Sequence, residues 1–176
     1  MNEKHAIVKK WAKRALVLFA VAFILDVFVL VDGNGFDDFL TSITAELSGG
    51  MAKWVNPTQV SVGPNGGGWS VYENGQSKVF IGDACNARNI FFLYIGFLVS
   101  IPMGTYPRKL RYLCIGLLLI FIFNVLRVFA LFLLAANMPA IFDFTHKYLF
   151  QISIYVLLFY LWHRYLTPYS HDEETV

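Results

Sequence analysis

The sequence predicts an all-α integral membrane protein. Its expected architecture is a four-helix transmembrane bundle with a small extracytoplasmic β-hairpin and an amphipathic helix between spans 1 and 2. Three observations lead there. Of the 176 residues, 57% are hydrophobic and only 15% charged, whereas soluble domains carry about a quarter charged residues. Four segments are apolar over lengths approaching the roughly 20 residues that a bilayer crossing needs. Lysine and arginine gather at alternate connections between those segments, as they do where cytoplasmic loops retain positive charge.

The N-terminal tail, residues 1–14, carries Lys4, Lys9, Lys10, Lys13 and Arg14 and is expected in the cytoplasm. The first span, 15–31, runs from Ala15 to Val31. It is long for the core of a signal peptide and lacks a small-x-small cleavage site, so it reads as retained. Residues 32–84 form the extracytoplasmic cap. Within it Phe36, Phe39, Leu40, Ile43 and Leu47 share one helical face while Asp37, Asp38 and Glu46 lie elsewhere. That pattern predicts an amphipathic helix lying on the membrane surface or capping the bundle. Alternating Val60 and Val62 lead to Pro64-Asn65-Gly66-Gly67-Gly68, read as a flexible loop. Trp69–Tyr72 and Lys78–Ile81 then flank Asn74-Gly75, a strong two-residue hairpin signal.

Spans two to four are placed at 85–103, 110–136 and 146–165. Arg108, Lys109 and Arg111 sit between spans two and three, and His163-Arg164 ends the fourth. Both termini, including the tail 166–176, are therefore expected in the cytoplasm, with 32–84 and 137–147 facing outward. Charge also narrows the function. The net charge of +2 includes no basic stripe, so no nucleic acid partner is expected. The two cysteines, Cys85 and Cys114, fall toward opposite membrane faces and are not expected to pair. The four histidines are scattered, without metal-ligand spacing.

Cys85, Arg127 and His146 fall on three different spans, and this topology brings all three near the outer face. A thiol, a guanidinium and an imidazole in one partly dry place can perform cysteine acyl transfer. Each also has a plainer reading. Cys85 can be a buried, inert cysteine. Against that, its place in the first turn of a predicted helix favours thiolate. Arg88, one turn on, either adds to that field or anchors the interface. Arg127 costs about 2.5–3.5 kcal/mol inside a span. It either snorkels outward or faces the bundle, where Asn124 on the same face can hold it in place and it can stabilise a tetrahedral oxyanion. His146 is an interfacial polar residue or a general acid/base. Asp143, one turn before it, either orients the ring or caps the helix. Asp26 in span one is best read as a partner for the buried arginine.

At these residues the chain resembles the exosortase/archaeosortase family. Ala84-Cys85-Asn86 opens one span, Asn124-Val125-Leu126-Arg127 lies within the next, and Phe144-Thr145-His146 enters the last, in the family's order and at similar spacing. The resemblance runs from about Gly82 to Tyr165. It implies a multi-pass cytoplasmic-membrane cysteine protease/transpeptidase with its active site on the extracytoplasmic face. Cys85 would be the nucleophile, Arg127 the stabiliser of the intermediate and His146 the general acid/base. The implied substrate is a protein with a C-terminal motif, a transmembrane helix and a basic cluster. The implied acceptor is a lipid amine, another amine or water, and no cofactor is expected. Two departures stand out. Many members carry glycine two residues after the cysteine, whereas Cys85-Asn86-Ala87 does not, so backbone approach at the site is expected to differ. Many also have more than four spans. The alternative from another class is a non-enzymatic membrane scaffold or assembly partner, in which Arg127 and Asp26 form a structural pair and Cys85 is packing. A thiol oxidoreductase is disfavoured because Cys85 lacks a resolving cysteine.

Overall fold

The computed structural model describes residues 13, 16, 20, 35–57, 59–82, 85, 87–101 and 103–170. The expected first span, and Asp26 with it, lies outside the described residues apart from Leu16 and Ala20. The elements in chain order are α1 (Gly35–Val55), β1 (Val60–Asn65), β2 (Gly68–Glu73), β3 (Gln76–Ile81), α2 (Arg88–Ser100), α3 (Tyr106–Asn137) and α4 (Pro139–Phe144). A π-helical turn (Thr145–Leu149) and α5 (Phe150–Ser170) complete the chain. The protein is mostly helical, with one small sheet. Among the described residues two compact units divide it: one holds Asn89–Leu118 and Leu158–Ser170, the other Gly35–Arg88 and Leu119–Leu157.

In the first of these units aromatic residues knit α2, α3 and α5 together. The Tyr94 hydroxyl donates to the Tyr112 carbonyl at 2.8 Å, and the Tyr165 hydroxyl donates to the Met103 carbonyl at 2.7 Å. Phe97 stacks on Trp162 with centroids 4.1 Å apart. Tyr94 lies so close to α3 that a Cβ on Gly116 would come within 2.2 Å of its ring, so only glycine admits the contact. Among the described residues α3 alone is long and apolar enough by itself to cross a membrane, at 32 residues and a mean hydropathy of 2.7 over its best stretch. α2, at 13 residues, is shorter than expected; it spans about 20 Å against the ~30 Å hydrocarbon core. Both α3 and α5 expose apolar stripes, Ile115, Leu118, Leu119, Ile122 and Leu126 on the former and Ile152, Val156, Phe159 and Tyr160 on the latter. Exposed surfaces of that kind suit lipid and not water.

The second unit carries the sheet, which differs from the expected hairpin by one strand. Its order is β1-β2-β3, all antiparallel. The Asn74-Gly75 turn forms as its sequence predicts, with φ of 53° and 77°. Gly66-Gly67, expected in a flexible loop, makes the same kind of turn with φ of 50° and 92°, and Asn65 pairs with Gly68 across it. Two positive φ values match the turn to the right-handed twist of the strands, which is why Asn-Gly and Gly-Gly both serve.

α1 packs on the sheet mainly through its small residues and leaves most of its bulky apolar face exposed. Leu40, Thr41, Thr44, Ala45, Ser48, Gly49 and Ala52 are buried, while Phe36, Phe39, Leu47 and Trp54 are exposed. The physical reason is size. Small residues let the helix backbone approach the strands, and a Cβ on Gly49 would come within 2.1 Å of the Val62 side chain. The resulting core joins Ala45 and Ala52 of α1, Val60, Val71, Val79 and Ile81 of the sheet, and Val128, Leu131 and Phe132 of α3.

Candidate active site

Cys85, Asn124, Arg127, Asp143 and His146 all belong to the second unit. Cys85 occupies a short 3-10 turn between β3 and α2, which begins only at Arg88. This corrects the expectation that the cysteine sits in the first turn of a helix, and the dipole argument for its thiolate weakens accordingly. The turn is fixed by its main chain. The Cys85 N–H donates to the Gly82 carbonyl at 2.8 Å, and the Cys85 carbonyl accepts from Asn124 Nδ2 at 2.7 Å. The half-buried side chain packs on the core cluster, as do Phe129, Phe142 and Phe150.

Asn124 is 2% exposed, and its Nδ2 donates to the cysteine turn. That bond leaves Oδ1 as the group able to accept from a guanidinium, the role expected of this residue toward Arg127. Arg127 is half-buried, one turn further along α3, and its Nε has no hydrogen-bond partner among the described residues. A desolvated donor left unpaired costs about 1–3 kcal/mol, so its persistence calls for an explanation.

His146 is half-buried and lies in the π-helical turn Thr145–Leu149. Such turns insert one residue into a helix and concentrate at functional sites. Its ring sits 5.9 Å from that of Phe142, which packs on the same cluster as Cys85. The charges acting on the imidazole are those of Arg127, Asp143 and Lys147. Arg127 and His146, distant in sequence, are therefore within electrostatic reach of one another. Asp143 is exposed and lies near the C-terminal end of α4, one turn before His146.

Comparison with known proteins identifies the family. The family model described as transmembrane exosortase matches residues 6–162, most of the chain. The chain belongs to the transmembrane exosortase family. Exosortases are membrane-embedded sorting transpeptidases that act on proteins with C-terminal sorting signals. No curated protein and no solved structure matches the chain.

Two features of this exosortase escape a reading of the sequence. Arg88 does not present an uncompensated charge to Cys85. It forms an ion pair with Asp37 of α1, with side chains only 13% and 10% exposed. A hydrophobic-face analysis sets Asp37 aside as polar surface, yet it is 7% exposed and ties α1 to the start of α2.

The second feature concerns the missing glycine. Ala87 has φ of 63°, in the left-handed region where glycine is at ease and other residues are not. The alanine thus takes a conformation that glycine adopts without strain. The strain is about 1–2 kcal/mol. Ala87→Gly removes it but gives up roughly 0.4–1 kcal/mol in unfolded-chain entropy and about 0.8 kcal/mol for the buried methyl. These effects nearly cancel, so Ala87→Gly is expected to change stability by less than about 1 kcal/mol. Ala87→Val, which puts a β-branched residue in the same region, is expected to cost more than about 2 kcal/mol. Thermal unfolding in detergent checks the pair, and equal stability of the two variants would remove the left-handed turn.

Proposed function

We propose that the protein is a four-span cysteine transpeptidase of the cytoplasmic membrane, with both termini in the cytoplasm and its site on the outer face. It removes the C-terminal sorting signal of exported, membrane-anchored proteins. The Cys85 sulfur attacks the scissile carbonyl carbon to give a tetrahedral intermediate whose oxyanion accepts from the Arg127 guanidinium. His146 passes a proton to the departing amine as the C–N bond breaks, leaving an acyl thioester on Cys85. An acceptor amine or water, deprotonated by His146, then attacks the thioester carbonyl and frees the thiol.

The observation that carries this reading is the buried Nε of Arg127, which has no hydrogen-bond partner among the described residues, in the same compact unit as Cys85 and His146. A donor held dry without a partner is well suited to charge that exists only during the reaction, because it needs no reorganisation when that charge appears. The half-buried Cys85 supports the reading from the other side, since Asn124 clamps its backbone and leaves the sulfur free.

Thiol labelling tests it. A membrane-impermeant maleimide applied to spheroplasts is expected to modify Cys85 rapidly and with a dependence on pH, and to give no such signal with Cys85→Ala. A Cys85 inert both to that reagent and to a small permeant one would favour the scaffold reading.

A further inference from the structure

β3 is an edge strand, and it leads directly into the nucleophile. It pairs with β2 on one side, and among the described residues no backbone hydrogen bond joins its other side to any element. Unprotected edges invite pairing with other chains, and proteins blunt them with lysines and bulges. Here the blunting is confined to one end. The β2–β3 register skips Lys78, since Val71 pairs with Val79 and Tyr72 with Ser77. Lys78 is bound back to Glu73 at 3.8 Å. Beyond that bulge the strand is regular through Val79, Phe80 and Ile81, and one tight turn later comes Cys85, whose N–H is held by the Gly82 carbonyl.

Side chains on this open stretch differ by face. Val79 and Ile81 are buried in the cluster on which Cys85 also packs. Phe80 points to the opposite face and is 51% exposed, the only residue of the three that is not buried. Its ring is braced between glycines: a Cβ on Gly68 would come within 2.8 Å of it, and one on Gly82 within 3.0 Å. Beneath it Ser70 is fully buried and accepts hydrogen bonds from Asn65 and Ser77. Phe80 is therefore a flat aromatic platform on a rigid base.

We propose that the open edge of β3, Val79–Ile81, binds the substrate polypeptide as an added strand, with the Phe80 ring receiving one of its apolar side chains. The inference rests on the transpeptidase reading and specifies how that site holds its substrate. Strand addition draws affinity from main-chain hydrogen bonds and selectivity from alternate side chains. An extended segment on this edge is aligned with the chain that becomes the Cys85 turn, so its next peptide group is delivered toward the sulfur. The occupant is extended and apolar opposite Phe80, because the three open positions of β3 carry no charge.

The test uses the full-length protein in producing cells, with Phe80→Ala, Phe80→Trp and Cys85→Ala in place of the wild type. Pulse–chase followed by mass spectrometry of C-terminal peptides measures how fast tail-bearing membrane proteins lose their tails. Phe80→Ala is expected to slow tail loss about tenfold with Cys85 labelling by maleimide unchanged, and Phe80→Trp to restore it. Wild-type rates in Phe80→Ala, alongside a block in Cys85→Ala, would overturn the edge-binding proposal and leave the transpeptidase intact. Normal tail loss in Cys85→Ala would remove both. If Phe80→Ala also loses Cys85 labelling, a benzophenone amino acid at position 80 in the Cys85→Ala protein decides. Crosslinks to tail-bearing proteins just ahead of their terminal helix support the proposal, and crosslinks elsewhere overturn it.

Discussion

Cys85→Ala is expected to lower tail cleavage by about 10⁴-fold or more, the usual consequence of deleting a covalent nucleophile. The variant is a clean probe because the turn does not depend on the sulfur. Both hydrogen bonds that fix it involve the Cys85 main chain, its N–H to Gly82 and its carbonyl from Asn124, and alanine keeps both. The side chain removed is small, so packing loss is about 1 kcal/mol. Cys85→Ser is expected to be nearly as inactive: a hydroxyl ionises far less readily than a thiol and is a weaker nucleophile at neutral pH. Pulse–chase of tail-bearing proteins provides the readout. Residual activity above about 1% of wild type in either variant would take Cys85 out of the chemistry, since background and binding effects do not reach that level.

Arg127→Ala is expected to reduce turnover about 10²–10³-fold, with less change in substrate affinity, as for other donors that meet an oxyanion. Its second expected effect has the opposite sign. Removing a half-buried guanidinium whose Nε lacks a partner among the described residues relieves a desolvation cost of about 1–3 kcal/mol, so the variant should not be less stable than the wild type. A structural arginine behaves otherwise, because breaking a buried pair destabilises by roughly 3–5 kcal/mol. Turnover and thermal midpoint measured together thus separate the two roles. A variant that unfolds readily while its surviving fraction turns over normally would assign Arg127 to structure. Arg127→Lys is expected to recover only part of the loss, since an ammonium does not reproduce the planar fork.

The candidate site stands out in the sequence because the residues proposed to carry its chemistry are costly where they stand. Arg127 in an apolar run and His146 at the start of another are conspicuous, and both fall with Cys85 in one compact unit. Asn74-Gly75 announced its hairpin through turn chemistry alone. α1 is helical as its pattern predicts, but which residues meet the sheet is not legible from its apolar face. Here the small face, with Ala45, Gly49 and Ala52, makes the close approach, and the bulky apolar residues Phe36, Phe39 and Trp54 stay exposed, as on helices that meet lipid. The Arg88–Asp37 pair joins residues too far apart in sequence for any local pattern to mark. Ala87 hides its left-handed turn because alanine does not advertise it. The donor from Asn124 to the Cys85 carbonyl likewise depends on tertiary contact alone.

The π-helical turn at Thr145–Leu149 bears on how this chain is lined up with others. One additional residue in a helix displaces everything on one side of it by about 100° relative to the other. A gap-free alignment with a relative whose helix is regular therefore matches either the histidine or the lipid-facing positions of α5, but not both. A single-residue gap between Asp143 and Tyr148 restores both frames, and position-by-position statistics gathered across that helix are out of phase on one side until it is inserted.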